Sequence, residues 1–235
     1  MPDAAAPRSA SPLRRWLGRS VRLVVWLVAG YFLGCTLLIA AYRVIDPPFT
    51  TVHVERWVES WGSDGDYDYR RAIVPLAEIS AQLERAVVAS EDARCYQHHG
   101  FDWVEIGKAR EEAARGERLR GASTITQQLA KNLFLTTDRS WLRKAAEVPL
   151  AVVIELLLPK ERILELYLNS IEWGPDGVFG AEAAAQVHYG LTAAQLSRNQ
   201  AARLAAIIPA PQTRQPHAAD RTAQFILRRM WQLGY

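Results

Sequence analysis

Cysteine is scarce in this chain of 235 residues: there are two, Cys35 and Cys95. That excludes a disulfide framework. Because Cys35 lies in an apolar run far from Cys95, an intramolecular bridge is not expected, and cysteine usage leaves the compartment open. A large charge imbalance is also missing, since Lys+Arg 28 against Asp+Glu 25 gives a formal net charge of +3. Nothing therefore points to a general nucleic-acid binder, and an anionic partner would need a local basic patch. Strand–helix alternation, a glycine-rich nucleotide loop and internal repeats are all absent, which removes dinucleotide-binding α/β folds and solenoids. What remains, at 49% hydrophobic and 23% charged residues, is an ordinary globular domain plus one apolar segment.

That segment runs uncharged from Leu23 to Tyr42, long enough at ~1.5 Å per residue to cross a hydrocarbon core of ~30 Å. It outlasts the apolar region of a signal peptide and no small-x-small cleavage site follows, so it reads as an uncleaved anchor. Arg14, Arg15, Arg19 and Arg22 precede it and only Arg43 follows closely, which predicts a cytoplasmic N-terminus. Residues 1–12, rich in Ala, Pro and Ser, read as disordered. The expected division is a basic cytoplasmic tail (1–22), a transmembrane helix (23–42), a linker and membrane-proximal arm (43–74) and a catalytic domain (75–235). Within the arm, Asp46-Pro47-Pro48 stops the first helix, Thr50–Trp57 reads as a short strand or extended arm, and Gly62–Asp68 reads as a loop.

Beyond Pro75 the pattern is helical. Ile79, Leu83 and Val87 recur every fourth residue and Glu91 extends the same face, which sets a carboxylate at the edge of the core. In GASTITQQLAKN (121–132), Ile125, Leu129 and Leu133 form a helical stripe starting near Thr124, and Thr124 with Gln127 fits a capping box. Such a helix start, with hydroxyls, free N–H groups and Lys131 a turn or two on, suits an anion such as a diphosphate. From this segment alone, an ordinary capped amphipathic helix is the simpler reading. Ser140 caps a further helix through Leu158, with a kink or break expected at Pro149; Lys160–Asn169 and Leu196–Ile208 follow as helices. Arg143 and Lys144 stand four and three residues before Glu147, so the three lie close together on one helix.

Taken together with EDARCYQHHG (91–100), RKAAE (143–147), KERILELYLN (160–169) and LAAIIPAP (204–211), the segment GASTITQQLAKN resembles, in order, the motifs of the peptidoglycan glycosyltransferases, glycosyltransferase family 51. The resemblance covers residues 47–215, and with the chain ending at Tyr235 the expectation is the monofunctional, membrane-anchored form. It implies a mainly α-helical, lysozyme-like glycosyltransferase domain with a smaller membrane-proximal lobe behind one transmembrane helix. The implied reaction polymerises lipid II into β-1,4-linked glycan, with inversion and release of undecaprenyl diphosphate. Glu91 matches the general base, and Glu147 the carboxylate that steadies basic groups around the diphosphate. Asp92, Ser123, Thr124, Gln127, Gln128, Lys131, Arg139, Arg143 and Lys144 match substrate-binding positions. No cofactor is required and no metal ligand is assigned, although the pattern leaves room for a divalent cation, Mg or Mn, near Glu147. His98 reads as support for its loop. Lys160, Glu165 and Asn169 read as braces for helix packing. The stretch Phe101–Arg120 reads either as a mobile, membrane-leaning element or as a solvated helix.

Expected partners are lipid II, the growing lipid-linked glycan and the membrane, with proteins of cell-wall synthesis or division, and no nucleic acid. The expected location is the inner membrane, single-pass, with the catalytic domain outside the cytoplasm. Four residues depart from the family pattern: Cys95 for phenylalanine, Ala122 for glycine, Gln200 for glutamate, and Pro149 inside a helix. Two other readings stand beside this one: a lysozyme-like glycan hydrolase, and a non-catalytic membrane-anchored assembly factor. A penicillin-binding transpeptidase is excluded within this chain because neither Ser-x-x-Lys nor Lys-Thr-Gly occurs.

Overall fold

The computed structural model describes residues 12–62, 67–117, 121–175 and 177–235. The disorder read for the N-terminal stretch lies, up to residue 11, outside the described residues, as do positions 63–66 and 118–120 of the segments discussed above.

Helix α1 runs Pro12–Ala41, and its Gly18–Ala41 portion, with mean hydropathy 2.3, has the length and composition of a membrane span. It begins well before the expected Leu23 because its arginine-rich flank is itself a good helix former. The far end of this helix is joined to the domain. Cys35, Ile39 and Tyr42 are buried, the Tyr31 hydroxyl donates to Phe134 O at 2.6 Å, and the Tyr42 ring stacks on Phe134. Both cysteines are free and buried.

The arm differs from the expected strand. Thr51–Ser60 is a helix, α2, opened by a capping box in which Thr50 accepts from His53 N and its own N–H donates to His53 Nδ1 at 3.2 Å. Val52 and His53 turn inward as neighbours on one helical face, so the apparent two-residue alternation of valines was coincidental. Arg71 holds the carbonyls of Pro47 and Pro48, both at 2.8 Å, and so fixes the approach to α2.

The helical domain contains α3 (Ala81–Glu91), α4 (Trp103–Ala114), α5 (Ile125–Phe134), α6 (Trp141–Leu157), α7 (Lys160–Ser170), α8 (Ala181–Tyr189), α9 (Arg198–Ala205) and α10 (Asp220–Gln232). Their stripes converge on one core. Ile125 and Leu129 of α5 meet Ile163, Leu164 and Tyr167 of α7, while the small Ala201, Ala202 and Ala205 of α9 allow close approach to Leu83 and Ala86 of α3. Each large apolar side chain so buried contributes about 1.5–3 kcal/mol. α6 is not broken at Pro149: the helix continues on both sides, and the proline lies on its exposed face. The segment expected as one helix from Leu196 instead begins its helix at Arg198, because Ser197 and Gln200 close a capping box there. Gln200, one of the departures from the family pattern, thus occupies a position where glutamine and glutamate cap equally well.

A small sheet completes the domain: β1 (Arg70–Arg71) pairs parallel with β3 (Val178–Phe179), which pairs antiparallel with β2 (Glu172–Gly174). Gly180 follows at φ +85, and a Cβ there would meet Ala72 O at 3.1 Å and Asn169 O at 3.2 Å, so only glycine fits the turn into α8. Asn169 and Glu165 act as the expected braces, with Asn169 Nδ2 donating to Val74 O and Glu165 Oε2 accepting from Leu76 N.

Candidate active site

Helix α5 organises the site. Its first turn is fixed by the predicted cap: Gln127 N donates to Thr124 Oγ1, and Thr124 N donates to Gln127 Oε1 at 3.1 Å. Thr124 also donates to Gly100 O at 2.6 Å, and both cap residues are buried. Asp92 docks the preceding loop onto this helix start. Its carboxylate accepts from Ile125 N at 3.0 Å and is paired with His98 Nε2 at 2.8 Å, a favourable place for negative charge. His98 therefore supports its loop, as expected from the sequence.

Glu91, at the end of α3, is linked to α5 through an amide. Gln128 Nε2 donates to Glu91 Oε2 at 2.9 Å, and Gln128 Oε1 accepts from the fully buried Tyr167 hydroxyl at 2.8 Å. The tyrosine sets which end of the amide faces the carboxylate. Burial pushes the Glu91 carboxyl above its ordinary value, opposed by the Gln128 hydrogen bond and the charge of Lys131.

Lys131 lies one turn further along α5 than Gln128. It has no hydrogen-bond partner among the described residues, and burial lowers its ammonium pKa, helped by the charges of Arg143, Lys144 and Arg56 and opposed by Glu147. Glu147 is 2% exposed. Its two oxygens are held by Arg143 and, at 2.6 Å, by Lys144, whose ammonium also donates to Ser123 Oγ at 2.8 Å. The backbone of Arg143 is set by the Ser140 cap. With both oxygens already on cations, Glu147 is a poor host for a divalent ion. Among the described residues, only Asp92, His98 and Asp102 bring three metal-type donors within 4.8 Å of one another. There too the oxygens are engaged, by Ile125 N, by the first N–H groups of α4 and by Arg94, whose charge opposes a cation.

A cavity of ≈ 360 Å³ opens beside α5, lined by Gln128 and Lys131, by Arg139 of the α5–α6 loop, and by three residues that sequence reasoning missed: Arg56, Glu172 and Gln212. Glu91, Arg143, Lys144 and Glu147 are not among its lining residues: Glu91 is tied to it by the hydrogen bond from Gln128, and the other three act on Lys131 by charge. Arg56 of α2 donates to Glu172 Oε2 at 3.2 Å, and Gln212 donates to the other oxygen at 3.3 Å. Burial raises the Glu172 carboxyl, partly offset by Arg56. A fourth missed residue, Glu55, accepts from Thr137 N at 2.9 Å and from Thr137 Oγ1 at 2.6 Å, and so ties the loop bearing Arg139 to α2. The one local signal for Glu55 and Arg56 was the Thr50–His53 spacing of a helix cap.

The arrangement ties a partly buried carboxylate, Glu91, whose carboxyl is pushed up by its surroundings, to a cavity that holds Lys131, Arg139 and Arg56, on the domain attached to an apolar anchor. Residues 59–232 match the family model described as Transglycosylase, and the chain belongs to that family. It is 47% identical over 226 residues to a biosynthetic peptidoglycan transglycosylase of Ectopseudomonas mendocina, covering 94% of this chain and 91% of the relative. The chain is similarly related to proteins of the same name from Chromohalobacter salexigens (47% identical, 94% of this chain and 96% of the relative covered) and Xanthomonas axonopodis pv. citri (46% identical, 99% and 93% covered).

Proposed function

We propose that this protein is a membrane-anchored peptidoglycan glycosyltransferase that polymerises lipid II. In the step assigned to it, the 4-hydroxyl oxygen of one lipid-linked disaccharide attacks the anomeric carbon of another. The bond to the lipid diphosphate breaks with inversion, giving a β-1,4 linkage, and undecaprenyl diphosphate leaves. Glu91 takes the hydroxyl proton as attack proceeds; its burial makes it a better base than a solvated carboxylate. The negative charge that accumulates on the diphosphate is received by Lys131 and Arg139, with Arg143 and Lys144 adding their charge. Glu147 keeps this cluster from repelling itself apart. Gln128 aligns Glu91, and Ser123 steadies Lys144. Asp92, Thr124 and Gln127 serve the substrate indirectly, by holding the loop and helix start on which these groups stand.

The observation that carries this reading is that adjacent turns of α5 set Gln128, which holds the Glu91 carboxylate, and Lys131 on the wall of one cavity with Arg139. The arginines in the first turns of α1, ahead of its uncharged run, support an N-terminus in the cytoplasm and a catalytic domain across the inner membrane. Incubating the purified full chain with lipid II, and separately with finished glycan, tests the proposal. Polymer from the first and no cleavage of the second is expected; cleavage without polymer would make it a hydrolase.

A further inference from the structure

A side-chain amide has two unlike ends, and Gln128 has the room to present either of them to Glu91. The donating end faces the carboxylate, with Gln128 Nε2 at 2.9 Å from Glu91 Oε2. What holds it that way comes from the core behind. Tyr167 of α7 is 0% exposed, its ring packed where α7 meets α5, and its hydroxyl donates to Gln128 Oε1 at 2.8 Å. That is the hydroxyl's one hydrogen bond among the described residues. Burial, with the charges of Glu91 and Asp92, raises the phenol well above its ordinary value, so it always brings a proton to be accepted. Were the amide to turn over, that proton would face an NH2 group and lose its acceptor in a dry core. Gln128 Oε1 would then face Glu91 Oε2, a contact that suits only a protonated carboxyl. An unpaired buried donor alone disfavours the turned amide by about ten- to a hundredfold.

Four groups act on the Glu91 carboxyl besides this phenol: Asp92 beside it in the chain, Gln128 and Lys131 of α5, and Arg214 of the loop after α9. Asp92, itself paired with His98, works against the anion; the other three favour it. In the proposed step a diphosphate occupies Lys131 and cancels its charge, and Arg214 is exposed to water and salt. The Gln128 amide is neutral, so a bound anion does not cancel it, and the hydroxyl that holds it is beyond the reach of water.

We propose that Tyr167 is a positioning residue of the transfer step: its hydroxyl latches the Gln128 amide with the N–H end toward Glu91, and so keeps the base able to accept a proton once a diphosphate has occupied the cations. It touches no substrate and acts only through Gln128. The inference rests on the role given to Glu91 under the proposed function.

The test uses the full chain in detergent micelles and reads the Glu91 carboxyl directly, as the protonated C=O band in infrared difference spectra that is missing from Glu91→Gln. Tyr167→Phe should move the midpoint of that titration upward by as much as about one pH unit, the equivalent of a tenfold preference lost, and the acid limb of kcat/KM should move with it. With Gln128→Ala already in place, Tyr167→Phe should add no further shift. An unmoved midpoint overturns the proposal. So does an equal shift in both backgrounds, which would mean that the phenol acts on the carboxylate without the amide. If Tyr167→Phe does not fold, a fluorinated tyrosine at position 167 keeps the ring and donates more strongly, so the midpoint should move down; a midpoint that stays or rises overturns the proposal. The infrared titration needs no substrate, so a chain that shows these shifts and makes no polymer would uphold the latch and overturn the reaction instead.

Discussion

Replacing Glu55 with alanine should loosen Arg139 without altering the lining of the cavity. The carboxylate accepts from both the backbone N–H and the hydroxyl of Thr137, two residues before Arg139. Hydrogen bonds to a charged acceptor are worth ~1.5–3 kcal/mol each. Thr137 is only half-buried, so water can take up the abandoned donors, and a total near 2 kcal/mol is expected in place of the full sum. If the freed loop must be reordered whenever a diphosphate binds, at most that amount appears in kcat/KM, a loss of up to about 30-fold. The assay is the initial rate of glycan polymerisation against lipid II concentration, run beside thermal unfolding of the same preparations. KM should rise at nearly constant kcat, and Glu55→Gln should recover part of the loss because its amide oxygen can still accept from Thr137 N. A lowered melting temperature with unchanged KM would refute the reasoning and leave Glu55 a purely structural tie.

Two further outcomes follow from the charges. In the proposed step Glu91, pushed above 4.5 by burial, works as the anion, so activity should be lost as pH falls through that raised value; Lys131, pushed below 10.5, works as the cation, so activity should be lost as pH rises through its lowered value. The profile of kcat/KM should be a bell inside those limits, and Gln128→Ala, which removes a donor favouring the charged carboxylate, should move the acid limb upward; an acid limb at or below 4.5 contradicts the burial argument. Glu147→Ala should destabilise the fold by about 2–3 kcal/mol in urea unfolding, less than the ~3–5 of a fully buried pair because Lys144 is partly solvated. It should also move the alkaline limb down, since Glu147 raises the Lys131 pKa; a variant as stable as the parent would show that the cations need no carboxylate.

What could be read from the sequence was what local chemistry decides. The start of α5 followed from Thr124 and Gln127 because a capping box satisfies its own backbone donors within four residues. The anchor followed from length and absence of charge. α2 was misread because Val52 and Val54 mimic strand alternation, while the helix depends on a His53 side chain serving as cap partner. Arg56, Glu172 and Gln212 went unnoticed because they meet only through folding, from the arm, the small sheet and the loop after α9. At Pro149 the break half of the expected kink or break does not occur: proline forbids one hydrogen bond, and α6 runs through it with the proline on its exposed face.

The most direct test compares Glu91→Gln with the parent chain in single-turnover reaction with lipid II, at matched thermal stability and matched lipid II binding. The amide keeps the size and can still accept from Gln128 but cannot take a proton. Polymer and released undecaprenyl diphosphate should both fall by a factor of ~10²–10⁴, the usual contribution of a general base. Undiminished release of diphosphate by the variant would contradict the assignment of Glu91 and, with it, the mechanism built on the cavity beside α5.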